Sequence, residues 1–160
     1  MNTTDADVQA AQARASTQPV LPAYSEIDHS DRDAFGLRLQ QHFHQQAVND
    51  VPFLLVALRT DALAPARLNF SLLYDAVRHL LRDQDDWLID LHNKRLIVLL
   101  AQGCADDARR FFARLKVRLM ETAPQWANEY LYAISAITVL NGTPFLSAED
   151  FLTMALEDDE

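Results

Sequence analysis

Asp86-Trp87-Leu88-Ile89-Asp90-Leu91-His92-Asn93-Lys94-Arg95-Leu96-Ile97-Val98-Leu99-Leu100 is the stretch around which the chain is organised. Two short apolar runs, Trp87–Leu91 and Leu96–Leu100, flank the polar tetrad His92-Asn93-Lys94-Arg95. Apolar runs of this length, bounded by turn residues, predict two strands joined by a tight hairpin. Asn93 suits the turn position of positive φ, which it tolerates better than most residues. The second run does not alternate, which predicts a strand buried on both faces.

Towards the N-terminus, Arg82-Asp83-Gln84-Asp85 forms a polar corner entering the hairpin. A helix is expected before it, from Leu68 to Leu81, burying Leu73, Val77 and Leu80. Thr60 to Ala66, with Asp61 and Pro65, reads as a loop, and Phe53–Leu58 as a first buried strand after Pro52. Phe35, Leu39 and Phe43 recur every four residues, the mark of an amphipathic helix capped by Ser30 or Asp31. Residues 1–28 are rich in Ala, Gln, Thr and Asp and read as a mobile leader, in which Val20-Leu21-Pro22-Ala23-Tyr24 offers a docking stretch.

Towards the C-terminus, Gly103 precedes a helix expected over Asp106 to Glu121 and ended by Pro124. Its apolar face carries Phe111, Phe112, Leu115 and Leu119, and its other face Arg109, Arg110, Arg114, Lys116 and Arg118. Tyr130 to Leu140, aromatic and β-branched, reads as a fourth strand. Asn141-Gly142-Thr143-Pro144 is a turn. Ser147, with Asp150 three residues on, starts a last helix, and residues 158–160 form an acidic tail. After a helical lead-in the order is therefore strand–helix–strand–strand–helix–strand, then a helix. This predicts an α+β, split β-α-β (ferredoxin-like) fold with an antiparallel-centred sheet and helices on one face, as one domain over residues 29–157.

The 160 residues suffice for one domain with a proper core. The net charge of −9 argues against nucleic-acid binding, which needs a basic footprint. A single cysteine, Cys104, excludes an intrachain disulfide framework. No apolar run approaches a bilayer span and the N-terminus is not a secretory signal, so a cytoplasmic location without membrane insertion is expected.

The element order and several residues resemble the GGDEF domain of diguanylate cyclases. Asp86 to Leu100 aligns without a gap on that family's Asp-x-x-x-Arg, apolar residue, Gly-Gly-Asp/Glu-Glu-Phe and following strand. Asp31-Arg32-Asp33-Ala34-Phe35 resembles the family's Asn-Arg-x-x-Phe lead helix. Tyr132 to Thr138, with Ser135, resembles its late strand, and Phe151-Leu152-x-x-Ala155 its closing helix.

The resemblance implies a metal-dependent cyclase, and the catalytic positions depart from it. His92 and Asn93 stand in place of the glycines that admit the nucleotide, and Lys94 and Arg95 in place of the acidic pair. Magnesium takes hard oxygen ligands, which neither Lys nor Arg supplies. The family's first-strand metal aspartate falls near Ala57 or Arg59, and the loop Thr60–Leu68 lacks the residues that hold triphosphate. Metal-assisted phosphoryl transfer then has no foundation. Neither a metal site nor a cofactor is expected.

Binding remains. The family's product-inhibition site is Arg-x-x-Asp, and Arg82-Asp83-Gln84-Asp85 spells it one residue farther from the turn; in strict alignment Asp83 and Asp86 take the two positions. Arg grips phosphate or a guanine edge bidentately, and Asp accepts from guanine N–H groups, so Arg82, Asp85 and Asp86 are candidate cyclic di-GMP ligands. The alternative is a solvated helix C-terminus with Arg82 near the helix dipole. Lys94 and Arg95 would hold an anion or a partner's carboxylate, or be polar simply because hairpin tips are wet. The basic face of the third helix is an acidic-partner surface or a solvent face, with Asp106 and Arg110 as an exposed pair.

His42 and His44 are two apart on a helix and do not form a metal pair. His79 reads as a boundary residue. Ser135 and Ser147 lack a nucleophile-elbow setting, and Gly36, Gly103 and Gly142 make no phosphate loop. The reading is a catalytically inactive GGDEF-like domain serving as a binding or interaction module in bacterial signalling, with a protein partner or homodimer. The alternatives are a cyclic di-GMP sensor at Arg82-x-x-Asp85 and a residual nucleotide-processing enzyme.

Overall fold

The computed structural model describes residues 27–60 and 69–157. The elements are α1 (Arg32–Asn49), β1 (Phe53–Thr60), α2 (Phe70–Leu80), β2 (Asp86–Asp90), β3 (Arg95–Ala101), α3 (Ala105–Thr122), α4 (Ala127–Ala133), β4 (Ile134–Leu140) and α5 (Ala148–Leu156). The strands form a single sheet in the order β2-β3-β1-β4. Every neighbouring pair is antiparallel. The helical connection from β1 to β2 skips over β3, and that from β3 to β4 skips over β1. This is the split β-α-β arrangement expected from the element order.

Helices cover both faces of the sheet, not one. Leu54, Val56 and Leu58 of β1 pack with Leu96, Val98 and Leu100 of β3 against Leu73 and Val77 of α2 and Phe111, Leu115 and Leu119 of α3. The alternate residues Phe53, Leu55, Ile97 and Leu99 pack against Phe35 and Leu39 of α1 and Phe151 and Leu152 of α5. Successive strand residues point to opposite faces, so two covered faces require apolar residues at every central position. All seven residues of β3 are buried. The one-face expectation failed because the lead-in and closing helices, at opposite ends of the described chain, meet only in three dimensions.

Local chemistry sets the helix boundaries. The Asp31 carboxylate accepts from Ala34 N at 3.1 Å and caps α1. Asn69 Oδ1 accepts from Ser71 N at 2.8 Å, so α2 opens at Phe70. Ser147 Oγ accepts from Asp150 N at 3.2 Å and opens α5 as its spacing predicted.

The expected strand over Tyr130–Leu140 begins as helix: α4 runs to Ala133, and β4 starts at Ile134. Ala127, Tyr130 and Ala133 are buried at three-residue spacing. Tyr130 is 1 % exposed and Tyr132 91 %. A strand would place those two side chains on one face, whereas a helix separates them. The Tyr130 hydroxyl accepts from Asn69 N at 2.9 Å and donates to Asn69 O at 3.0 Å. Anchoring to the start of α2 overrides the β-propensity of the stretch. Most of the expected leader, the 61–68 loop segment and the acidic tail lie outside the described residues.

Candidate functional site

The β2–β3 hairpin closes through Leu91, His92, Asn93 and Lys94, between the paired residues Asp90 and Arg95. Asp90 Oδ1 accepts from Asn93 N at 3.1 Å, and Asn93 Nδ2 donates to Asp90 Oδ2 at 2.8 Å. These two hydrogen bonds tie Asn93 into the turn, and positive φ falls one residue later, on Lys94 at 57°. The expectation for Asn93 is thereby corrected. His92, Asn93 and Lys94 are exposed.

Arg95 is not a tip residue. It opens β3, is 7 % exposed, and donates from Nη1 to Ala155 O at 3.1 Å and Glu157 O at 2.8 Å. Those carbonyls end α5, so the guanidinium sits at the negative pole of that helix. Its partner across the β1–β3 ladder is Arg59, and Ala57 pairs with Ile97. Residues opposed on an antiparallel ladder share a face. Two arginines therefore face each other near the positions where the cyclase resemblance puts carboxylates. Among the described residues no group of three His, Cys, Asp or Glu side chains is placed to hold a metal ion.

At the corner before β2, Arg82 and Asp85 come together. Asp85 Oδ1 accepts from Arg82 Nη2 at 3.0 Å and Ala101 N at 3.1 Å. Its Oδ2 accepts from Arg82 N at 2.8 Å and Arg82 Nε at 3.2 Å. Arg82 Nη2 also donates to Ala101 O at 2.9 Å. The Asp85 side chain is 1 % exposed and that of Arg82 51 %. The carboxylate thus spends its acceptor capacity clasping the α2–β2 corner to the end of β3. Hydrogen bonding to Asp85 strengthens the hold of Arg82 on its proton, against a smaller effect of burial.

Asp86, the third candidate ligand, turns to different partners. Arg38 of α1 grips it bidentately, Nε at 2.6 Å and Nη2 at 3.1 Å. His29 Nδ1 lies 3.5 Å from the carboxylate and 3.1 Å from Trp87 O, with its ring stacked on Trp87 at 3.6 Å between centroids. Arg82, Asp85 and Asp86 therefore form two ionic networks rather than one convergent set. Sequence reading missed Arg38 and His29. Their only signal was position on the lead-in segment, because their partners lie 48 and 58 residues away.

Two of the five basic residues on the face of α3 pair with acids of the same helix. Arg109 lies 3.9 Å from Asp106 and Arg110 3.0 Å from Asp107, both at i,i+3 rather than the expected Asp106–Arg110 spacing. The Asp107 carboxylate also accepts from Cys104 N at 2.7 Å, and these bonds, that to Cys104 foremost, lower its pKa. An open cleft of about 560 Å³ lies beside the hairpin, where Ser30, Arg32, Asp90 and Glu157 surround Leu88 and Leu91. A smaller one of about 320 Å³ lies between α2 and α3 at His79, Arg114 and Arg118. No described helix is long and apolar enough to cross a membrane.

No protein-family model matches the chain, nor does any curated protein sequence. Solved structures do. PelD from Pseudomonas aeruginosa PAO1, in complex with cyclic di-GMP, superposes with a TM-score of 0.59 at 19% identity over 83% of this chain and 47% of that one. The GGDEF domain of TpbB (YfiN) from the same species superposes at 0.56, with 16% identity over 78% of each chain. The GGDEF domain of DgcB from Caulobacter crescentus, in complex with cyclic di-GMP, superposes at 0.50, with 12% identity over 86% of this chain and 88% of that one. The present chain matches about half the length of the PelD chain. By fold, it is a GGDEF-like domain.

Proposed function

We propose that this chain is a GGDEF-like domain that has given up metal-dependent catalysis and acts, without a cofactor, as a binding and interaction module in bacterial signalling. The reading takes residues 29–157 as the functional unit, in the cytoplasm, with no nucleic-acid partner. The observation that carries it is the Arg59–Arg95 pair across the β1–β3 ladder. A cation beside two guanidinium groups is repelled, and neither group offers it an oxygen ligand. Arg95 is also committed to holding the end of α5.

Incubating the purified protein with GTP or ATP and magnesium, followed by chromatography, is expected to yield no cyclic or linear dinucleotide. A chelator-sensitive product accumulating over many turnovers would overturn the reading.

A second reading is a cyclic di-GMP sensor at the Arg82–Asp85 corner. It is favoured by the half-exposed Arg82 guanidinium, and by the fold shared with PelD and DgcB, both solved with that nucleotide. Calorimetric titration with cyclic di-GMP, repeated on Arg82→Ala, separates the two. Micromolar binding by the wild type, lost in a variant that circular dichroism shows still folded at the titration temperature, supports the sensor, and absence of heat leaves the interaction module.

A further inference from the structure

The two outer strands of the sheet differ. The outer edge of β2 carries Asp86 and Asp90 and is partly closed, because Ile89 N donates to His29 O at 2.8 Å. The edge of β4 has no strand beside it among the described residues. It carries no charge either: the nineteen residues from Tyr130 to Ala148 contain no Asp, Glu, Lys or Arg. Ile137 is 50 % exposed and Leu140 39 %. Edge strands are ordinarily protected by charges, proline or a bulge, and β4 has none of these in Ile134–Leu140.

We propose that β4 pairs with β4 of a second copy, antiparallel about a two-fold axis at Ile137, joining two four-stranded sheets into one of eight. The register follows from the ladder. Asn141 N donates to Phe53 O at 2.8 Å, so 141, 139, 137 and 135 direct their backbone groups at β1. Ala136 and Thr138 then direct theirs outwards. An axis at Ile137 puts Ala136 opposite the second copy's Thr138 in a hydrogen-bonded pair, twice over, and sets the two Ile137 side chains side by side.

Charge opposes a second copy least at this edge. A chain carrying −9 repels its own copy over most of its surface. At this edge neither copy contributes a charge, and the identical strand is self-complementary, as an isologous contact requires. The inference deepens the interaction-module reading and rests on it.

Sedimentation velocity from about 1 to 200 μM, spanning the micromolar range of small interfaces, is expected to show conversion to twice the chain mass. Over the same range the Ala136 and Thr138 amides should gain hydrogen-exchange protection. Thr138→Pro removes an outward N–H without touching the β1 ladder, and should leave a folded single chain. Ile137→Lys opposes two ammonium groups at the axis and should weaken association about tenfold or more, deciding the matter should the proline variant not fold. A wild-type protein that stays single at 200 μM overturns the pairing, as does a dimer that survives Ile137→Lys. Amides protected equally at 1 μM would mean that the edge is covered within one chain, which also overturns it. The nucleotide assays above are read separately, so a monomer that makes no dinucleotide refutes only the β4 contact.

Discussion

Asp85→Ala separates a structural clasp from a ligand site at the corner before β2. The variant removes the acceptor of the Ala101 N–H, which is buried. Leaving such a donor unpaired costs about 1–3 kcal/mol. It also removes the ionic bonds to Arg82, and because that side chain is 51 % exposed, water replaces much of what is lost, leaving about 1 kcal/mol. The sum is about 3 kcal/mol, a large part of the 5–15 kcal/mol typical of a domain. At about 3–4 °C per kcal/mol for this size, Tm should fall by about 10 °C.

Urea unfolding followed by tryptophan fluorescence reads the effect, since Trp87 lies one strand residue past the corner. Arg82→Ala should cost at least as much, because it strands a carboxylate that is 1 % exposed with only two backbone N–H donors. The double variant should cost clearly less than the sum of the two. A ligand site would behave oppositely, with small stability losses and a large loss of nucleotide affinity. A loss below about 1 kcal/mol in both single variants would refute the clasp.

Arg95→Glu, which restores the acid of the cyclase pattern, should destabilise by about 3–5 kcal/mol in urea titration and gain no magnesium-dependent thermal shift, because it turns a buried carboxylate on the carbonyls of Ala155 and Glu157. Gly142→Ala should lose about 2 kcal/mol or more by calorimetry: Gly142 sits at φ 78°, and an added Cβ collides with the Phe43 ring. Burial lowers the His42 pKa below its ordinary 6.5, so the unfolded chain takes up the proton first. The stability from His42 is complete above about pH 6.5 and lost as pH falls below it. Urea midpoints between pH 7 and 5 should show that slope in the wild type and a flatter one in His42→Gln. Tyr130→Phe should cost about 1–2 kcal/mol in the same urea assay by unlatching Asn69.

The sequence by itself determined the order of the four strands and of every helix but α4, the hairpin and the full burial of β3. These follow from local period and turn chemistry: Leu96–Leu100 does not alternate, and Asp90 and Asn93 close a turn among their own neighbours. It also determined the cap at Ser147 and narrowed that of α1 to Ser30 or Asp31, of which the structure uses Asp31; each is a bond across three residues. Tertiary structure decided the rest, for one physical reason: a partner far along the chain leaves no mark on local spacing. The helical turn at Tyr130 depends on Asn69, the second covered face on α1 meeting α5, and the burial of Arg95 on the end of α5. The opposed arginines at 59 and 95 and the parting of Asp85 from Asp86 are likewise products of the ladder and of α1. Side-chain type announced a basic tip, and the fold turned one of its two cations into a brace.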